Sequence, residues 1–444
     1  MTDFATCPQR QIDRSPMSSG QWLAVALAVF LNGLDGYDAA SISFAAPGLM
    51  AEWKLAPDAL GWVLSMELIG MGFGSLMFGN LADRFGRRLT ILVCLVIMSV
   101  GMGGAIVASD VLQLSLVRLL TGLGIGGMMS SLAAIVSEHS NARHRSLVLS
   151  MMVVGYPLGL VVGGIVARNL LLVTHWSSVF VFGAVLTVVA LPLAWFAIPE
   201  SVAWLARARP ARAVERINAV LRRFDHAPVS RLGEMAQSEV RGNAVLAILR
   251  PPLARPTILL TLAYLSHVSC LYFVLKWIPS IVVTLGFSPS NGADVLVWTM
   301  CGAVASGPLF AVAANAISVR GATLITLAGS AISVTMFTRV GADLTALIML
   351  GVVTGVFITA ASIGFYSLLA TAYPVELRAT GTGFGIGVGR FGASIGPILG
   401  GVLFAEQYAL PDVGLIMSAG SVLSLVFIVA LAGGSSPKNK KGCE

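Results

Sequence analysis

The stretches GYPLGLVVGG, residues 155–164, and GASIGPILGG, residues 392–401, carry the same pattern of four glycines. The second stretch begins 237 residues after the first, because it starts at Gly392 and the first starts at Gly155. Rows of small residues let the backbone of a neighbouring helix approach closely. Packing alone explains one such row, but not the same row at the same place in both halves of the chain. We therefore predict two similar helical halves that repeat along the sequence.

The composition indicates a membrane protein. Hydrophobic residues make up 56% of the chain and charged residues only 11%, against about 25% charged residues in soluble domains. Apolar stretches of about 20 residues recur along nearly the whole length, and each is long enough to cross a hydrocarbon core of roughly 30 Å. The predicted fold is an all-α integral membrane protein with twelve transmembrane helices in two six-helix bundles. The predicted helices are 22–49, 59–82, 89–108, 111–136, 146–167, 177–198, 257–283, 292–314, 322–338, 343–369, 380–404 and 412–432.

The glycine rows fall in the fifth helix of each bundle. A second motif also repeats, since NLADRFG at 80–86 is echoed by NAISVRG at 315–321. The repeat is therefore parallel, about an axis along the membrane normal. Proteins built in this way hold a substrate site between their halves, near the bilayer midplane.

The basic residues predict the orientation, since cytoplasmic segments carry an excess of Lys and Arg. Of the 28 Lys and Arg, 22 fall in cytoplasmic segments when the amino terminus is placed inside. The exceptions are three outer residues and three within helices: Lys54, Arg168, Arg339, Arg118, Lys276 and Arg390. This split also accounts for the net charge of +7 without nucleic acid as a partner. The first twenty residues lack the apolar core of a signal peptide, so we expect the amino terminus to stay cytoplasmic.

Five segments follow from these boundaries. The longest polar one holds ten arginines and includes ARAVERINAVLRRF at 211–224. This stretch can form a helix on the cytoplasmic membrane surface, or belong to a solvated connector that obeys the charge bias. A partner-binding role has no specific support. The segments are a cytoplasmic N-terminal tail at 1–21, a six-helix bundle at 22–198, a cytoplasmic connecting loop at 199–256, a six-helix bundle at 257–432 and a cytoplasmic C-terminal tail at 433–444.

Several motifs resemble those of a known family. They are GNLADRFGRR at 79–88, Arg118 followed by Gly122, Gly124 and Gly126, PESVAWL at 199–205, YPVELRATGTGFGIGVGRFGA at 373–393 and DGYD at 35–38. The first two are similar to signatures of the major facilitator superfamily. The DGYD motif in the first helix resembles the aromatic acid:proton symporters of that superfamily. One departure is Ser318, which stands in the second copy of the loop motif where Asp83 stands in the first.

Two acids lie inside the first apolar helix. An ionised group at the bilayer centre costs at least about 2.5–3.5 kcal/mol, so Asp35 and Asp38 should face protein or water. A spacing of three residues puts them on one helical face. By helical rise, these acids and Arg118 reach a similar depth, with Asp35 and Arg118 both roughly 20 Å from the cytoplasmic side. We interpret the acid pair as the proton-coupling site, poised by Arg118 to gain or lose a proton. The alternative is a fixed ion pair between helices 1 and 4.

Arg118 and several other side chains are candidates for binding a substrate anion. Arg390 in helix 11 can offer two parallel donors to a carboxylate, although a protein partner such as Glu67 is an alternative. Phe365 and Tyr366 can stack on an aromatic ring or simply pack. His267 can bind substrate, relay a proton or pack in the core. We expect Lys276 to extend its charged end to the outer interface, and the sequence places Glu67 in no family pattern.

The cytoplasmic loop motif implies a gating role through its family resemblance. Its acid, Asp83, is expected to sit against a helix end or an arginine in one state and to be released in another. The remaining gating candidates are Gly79, Arg84, Arg87, Arg88, Glu138, Glu376 and Arg378, with Arg143 as a further matching charge. For Arg87 and Arg88, plain topology signalling is the alternative.

The sequence therefore favours a proton-coupled symporter that imports a small organic anion, with an aromatic carboxylate preferred, by alternating access. Alternatives are import of another organic acid, a proton-driven exporter, and a membrane receptor without transport. GLGIGG at 122–127 fits a dinucleotide pattern but lies inside a membrane helix, and no ATP-binding or metal-binding spacing occurs. We expect no enzymatic activity and no cofactor, with protons as the coupling ion. We expect the bilayer and the substrate as partners, and a place in the inner membrane with both termini cytoplasmic.

Overall fold

A computed structural model describes residues 8–232 and 244–432, without the side chains of Ala244, Val375, Glu376 and Ala379. The described residues form helices and contain no strand. Twelve of these helices are long and apolar enough to cross a membrane, which confirms the predicted fold class. The membrane-spanning helices are α2–α7 and α11–α16. The sixteen helices are α1 Pro8–Arg14, α2 Ser19–Trp53, α3 Pro57–Phe85, α4 Arg87–Val107, α5 Val111–His139, α6 Arg145–Val173, α7 Ser178–Ala197, α8 Val202–Ala208, α9 Ala213–Arg223, α10 Ala244–Ile248, α11 Ala254–Thr284, α12 Pro289–Ala316, α13 Val319–Phe337, α14 Leu344–Thr371, α15 Val375–Ala405 and α16 Leu410–Ala432.

Capping residues fix several helix ends. Ser18 begins α2 with a capping box, in which its hydroxyl accepts from the backbone N–H of Gln21 and the Gln21 side chain accepts from the N–H of Ser18. Such caps satisfy backbone donors that have no partner within the helix. Asp110 caps α5 in the same way, at 2.8 Å from the N–H of Gln113. Gly86 separates α3 from α4 with a φ of 107°, a conformation that side chains disfavour.

Contacts divide the chain into two compact units. The first comprises Met1–Val240 and Lys276–Met300, and the second comprises Arg241–Leu275 and Cys301–Glu444. The first unit thus holds α2–α7 together with the end of α11 and the beginning of α12.

The first glycine row of the sequence packs α6 against α2. A Cβ at Gly155 would collide with the backbone carbonyl of Val29, and one at Gly159 would overlap the backbone of Gly33. The close approach that the sequence predicted is therefore present, and only glycine permits it at Gly159.

The second glycine row plays the same part in the second unit, where it packs α15 against α11. A Cβ at Gly392 would meet the carbonyl of Leu265, and one at Gly396 would meet that of Ser269. Leu265 lies 236 positions after Val29 (265 − 29), nearly the spacing of the glycine rows themselves. Both halves of the repeat therefore use the same helix pair in the same register.

The connecting loop forms a small helical cluster with the N-terminal segment. The helix expected at 211–224 forms as α9, and its apolar side packs with Ile12 of α1 and Trp204 of α8. Ile217 and Phe224 of this segment are fully buried in that cluster. The amphipathic stretch therefore covers its apolar face with the protein's own helices, which corrects the interpretation as a helix on the membrane surface. The proposed tail at 433–444 lies outside the described residues.

Candidate functional site

The acid pair of α2 is completely enclosed. Asp35 and Asp38 have no exposed surface, and none of their four carboxylate oxygens has a hydrogen-bond partner among the residues that the structure describes. The neighbouring polar residues are occupied, because Asn32 donates to the carbonyl of Met152 at 2.6 Å and Ser41 to that of Asp38 at 2.7 Å. A buried carboxylate without a partner is costly when ionised. Each aspartate therefore needs a proton or a counter-charge nearby.

Arg118 of α5 reaches this level, but it pairs with a different acid. Its Nη2 atom lies 2.6 Å from Oε2 of Glu67 and donates to the backbone carbonyl of Asp38 at 2.8 Å. It forms no hydrogen bond with the carboxylate of Asp35 or Asp38, so the fixed ion pair with these acids, which was the alternative interpretation, is absent among the described residues. The ion pair of Arg118 with Glu67 joins α5 to α3. The alternative considered from the sequence was an ion pair between the first and fourth membrane helices, α2 and α5.

Glycines of α5 bring these two charges together. A Cβ at Gly122, one helical turn beyond Arg118, would collide with the backbone carbonyl of Glu67, and one at Gly126 with that of Met71. The backbones of α3 and α5 are therefore in close contact at the depth of the ion pair. The GLGIGG stretch thus serves helix packing.

Lys276 is the charge that sequence reasoning misplaced. It is only 2% exposed, and its Nζ atom lies 3.1 Å from Oε2 of Glu67 and donates to the carbonyl of Ala39 at 2.5 Å. The expectation that it extends to the outer interface is wrong, because a carboxylate and a carbonyl satisfy it in the interior. Glu67 and Lys276 were the two unassigned charges of opposite sign in apolar helices. Pairing of such charges is the rule within membranes, and that was the available signal.

Arg390 of α15 is half-buried and has no hydrogen bond or ion pair among the described residues. The ring of Tyr264 packs against the adjacent Gly389, and the hydroxyl of Tyr264 donates to that of Tyr366 at 3.2 Å. Glu67, the alternative partner considered for Arg390, is already bound to Arg118. The guanidinium therefore remains available to an anion.

His267 and Phe365 do not present a surface to a substrate. Both are fully buried, and their rings stack with centroids 5.6 Å apart. Nε2 of His267 lies 2.9 Å from the carbonyl of Ile358, and Nδ1 lies 3.4 Å from the hydroxyl of Ser421. Packing accounts for the positions of both residues in this structure, and their part in substrate binding stays a prediction. Tyr366, in contrast, is 45% exposed.

Asp83 holds the neighbouring ends of several helices together. Its Oδ1 atom lies 2.8 Å from Nη2 of Arg87 and 3.0 Å from Nη2 of Arg207, and its carbonyl accepts from Nε1 of Trp204 at 2.9 Å. Arg87 also reaches Glu138 at 3.5 Å. The expected contact of the acid with arginine is present, and Arg207 and Trp204 are partners that sequence reasoning missed.

Glu200 of the PESVAWL motif is a further missed partner. Its Oε1 atom accepts from the backbone N–H groups of Arg87 at 2.8 Å and Arg88 at 3.2 Å. It therefore caps the beginning of α4, where a carboxylate is also favoured by the helix dipole. A Cβ at Gly86 would collide with this carboxylate. The two sequence motifs thus form one structural unit.

The other gating candidates differ in their surroundings. The guanidinium of Arg84 lies over the ring of Phe85, and Arg88 donates to the carbonyl of Trp195 at 2.6 Å. A Cβ at Gly79 would meet no atom within 4 Å, so packing does not require glycine there. Arg143 and Arg378 are exposed. The side chain of Glu376 lies outside the described residues.

The twelve apolar helices define a multi-pass membrane protein, and charged side chains buried within such helices are typical of substrate and ion pathways. The sequence pattern of the Major Facilitator Superfamily matches residues 25–314. The chain is 30% identical over 430 residues to the 4-hydroxybenzoate transporter PcaK of Pseudomonas aeruginosa, covering 95% of each chain. It is 28% identical over 412 residues to a gallate transporter of Pseudomonas putida, covering 90% of this chain and 89% of the relative.

A solved structure agrees on the fold. The D-xylose–proton symporter superposes with a TM-score of 0.70 at 17% identity, covering 92% of this chain and 97% of the other. The chain belongs to the Major Facilitator Superfamily. It is a transporter and not an enzyme, and the resemblance that its motifs indicated is confirmed.

Proposed function

We propose that this transporter is a proton-coupled symporter that imports a small aromatic carboxylate by alternating access. The observation that carries the proposal is the enclosed pair Asp35 and Asp38. It lies beside Arg118, Glu67 and Lys276, and its carboxylates have no hydrogen-bond partner in the part of the chain that the structure describes. Ionisable groups within membrane helices are costly and mark proton or substrate pathways. A fixed scaffold has no need of two acids in this state, whereas a group that takes up and releases a proton does.

The aromatic substrate class rests on the relatives. Transporters named for 4-hydroxybenzoate and gallate share 30% and 28% identity with nearly the whole chain, and both substrates are aromatic carboxylates. Arg390 supplies the matching chemistry, since a guanidinium binds a carboxylate through two parallel hydrogen bonds. In this proposal, Arg390 binds the anion and the acid pair of α2 carries the proton. The gating residues around Asp83 then control the exchange between outward-open and inward-open states.

The proposal places the protein in the bacterial inner membrane with both termini cytoplasmic, and it requires protons but no other cofactor. The test uses purified protein in proteoliposomes with labelled 4-hydroxybenzoate, gallate or benzoate. We expect accumulation when the lumen is alkaline and loss of accumulation when a protonophore is added. Labelled succinate is the comparison for a non-aromatic organic acid.

Each of the other outcomes of this transport experiment supports one of the alternative functions considered from the sequence. Preferential accumulation of succinate would indicate a different organic acid as substrate. Gradient-driven extrusion of preloaded aromatic acid would indicate an exporter. Binding without any flux would indicate a receptor, and uptake that ignores the proton gradient would refute proton coupling.

A further inference from the structure

Five charged side chains lie together within the first compact unit. They are Asp35 and Asp38 of α2, Glu67 of α3, Arg118 of α5 and Lys276 of α11, and each is at most 2% exposed. We propose that Glu67 and Lys276, together with Arg118, set the number of protons that the Asp35–Asp38 pair holds. In this arrangement a single position is left for the transported proton. The inference deepens the proposed symport and rests on it.

The charge count supports this role. The triad of Glu67, Arg118 and Lys276 contains one carboxylate and two cations, so its net charge is +1. Uncompensated charge is expensive to bury. With two ionised aspartates beside the triad, the five groups would have a net charge of −1. With one ionised and one protonated aspartate, their net charge is zero. The neutral arrangement therefore holds one proton on the pair.

The geometry places both cations on the acid-bearing turn of α2. Arg118 donates to the carbonyl of Asp38, and Lys276 donates to the carbonyl of Ala39. Both also contact the same oxygen, Oε2, of Glu67. Because these contacts fix the two cations within about one helical turn of the aspartates, the field of the triad acts directly on the proton-carrying pair.

The other described residues packed around the pair are uncharged. Tyr37, whose hydroxyl donates to the carbonyl of Val179 at 2.6 Å, and Cys94 of α4 are buried, and neither side chain is normally ionised at neutral pH. Helix α6 approaches with the backbone carbonyl of Tyr156 against Gly36, and α7 approaches with Gly183 next to Oδ1 of Asp38. The charged groups on the other helices packed around the pair are, among the described residues, Glu67 of α3, Arg118 of α5 and Lys276 of α11.

Two single variants should shift the pH dependence in opposite directions. Lys276→Met lowers the triad to zero net charge, so the pair keeps its protons more firmly and the pH midpoint of coupled uptake rises. Glu67→Gln raises the triad to +2, so protons leave more easily and the midpoint falls. A neighbouring charge typically changes proton affinity by about 1–3 pH units. The double variant Glu67→Gln/Lys276→Met returns the net charge to +1 and should return the midpoint toward that of wild type.

The experiment measures gradient-driven uptake and substrate counterflow of labelled 4-hydroxybenzoate across pH in proteoliposomes. Lys276→Arg keeps the charge and should keep the wild-type profile. The matched control is Arg168→Gln. Arg168 of α6 forms a 2.9 Å ion pair with Asp294 of α12. Like the Glu67–Lys276 pair, it joins one of the first six membrane helices to a later helix within the first unit. We expect no shift of the midpoint in this control.

Opposite shifts in the single variants, restored in the double variant, support the charge-setting role. Shifts in the same direction, unchanged profiles, or a double variant no better than either single one would overturn it. If one single variant folds poorly, the pH midpoints of the double variant and of Lys276→Arg still test the charge-setting role. Failure of the proposed function is distinguishable, because wild-type uptake would then show no dependence on the proton gradient.

Discussion

Replacing Arg390 by lysine tests whether this arginine binds the carboxylate of the substrate. The guanidinium is half-buried and lacks a protein partner among the described residues, so its donors are available. Lysine keeps the charge but cannot offer two parallel donors. A hydrogen bond to a charged group contributes about 1.5–3 kcal/mol. Loss of one such bond corresponds to roughly tenfold to a hundredfold weaker binding, at about 1.4 kcal/mol per decade.

The assay is calorimetric titration of purified Arg390→Lys with 4-hydroxybenzoate at several pH values. The expected result is a higher dissociation constant at every pH, with an unchanged pH midpoint, because the proton-carrying groups lie elsewhere. Arg339→Lys is the matched control, since Arg339 is exposed at the end of α13, and its affinity should equal that of wild type. An unchanged affinity in Arg390→Lys would remove Arg390 from the site and leave Arg118 as the anion's candidate partner.

Three further predictions concern the coupling pair, the gate and the helix packing. Asp35→Asn and Asp38→Asn should each abolish accumulation against a gradient while the protein still inserts, and normal protonophore-sensitive uptake in both variants would contradict the coupling role. Asp83→Asn should slow exchange more than it weakens binding, as measured by counterflow against equilibrium titration; its ion pairs are partly exposed and contribute at most about 1 kcal/mol each to stability. Gly159→Ala should cost about 1–3 kcal/mol through overpacking against α2 and lower the thermal unfolding temperature, whereas Gly103→Ala, with no atom within 4 Å of the added Cβ, should not.

The architecture was predictable because the bilayer restricts the possible structures. A chain in lipid must satisfy its backbone hydrogen bonds within helices, so the apolar lengths alone predicted twelve spans, and all twelve are present. The glycine rows also predicted close helix packing without any knowledge of the partner helix. The packing of α9 against α1 and α8 was not predictable in this way. An amphipathic helix has the same pattern whether a membrane or another helix covers its apolar side.

The site was only partly predictable. The acids Asp35 and Asp38 were evident because charge is rare in an apolar helix. The pairing of Glu67 with Lys276 joins residues 209 positions apart, so it depends on the helix arrangement and not on local spacing. The helix cap that Glu200 forms likewise depends on where the end of α7 meets the beginning of α4, which neither motif specifies alone.

The repeat preserves packing but not charge, and under the proposed function this difference gives separate tasks to the two halves. The register of the two glycine contacts relates each position of α2 to one 236 residues later in α11. Leu271 and Val274 therefore stand where Asp35 and Asp38 stand in the first half. Apolar side chains at those positions cannot carry a proton, so under the proposed function the proton-carrying pair lies on the first copy of this helix, and α11 contributes Lys276 beside it. Arg390, in turn, has Val153 as its counterpart 237 positions earlier. A gene duplication that preserved both sites would show acids and arginine in each half. Their separation means that proton affinity and anion affinity can be altered independently, which is why the Arg390 and Lys276 variants should change different measured quantities.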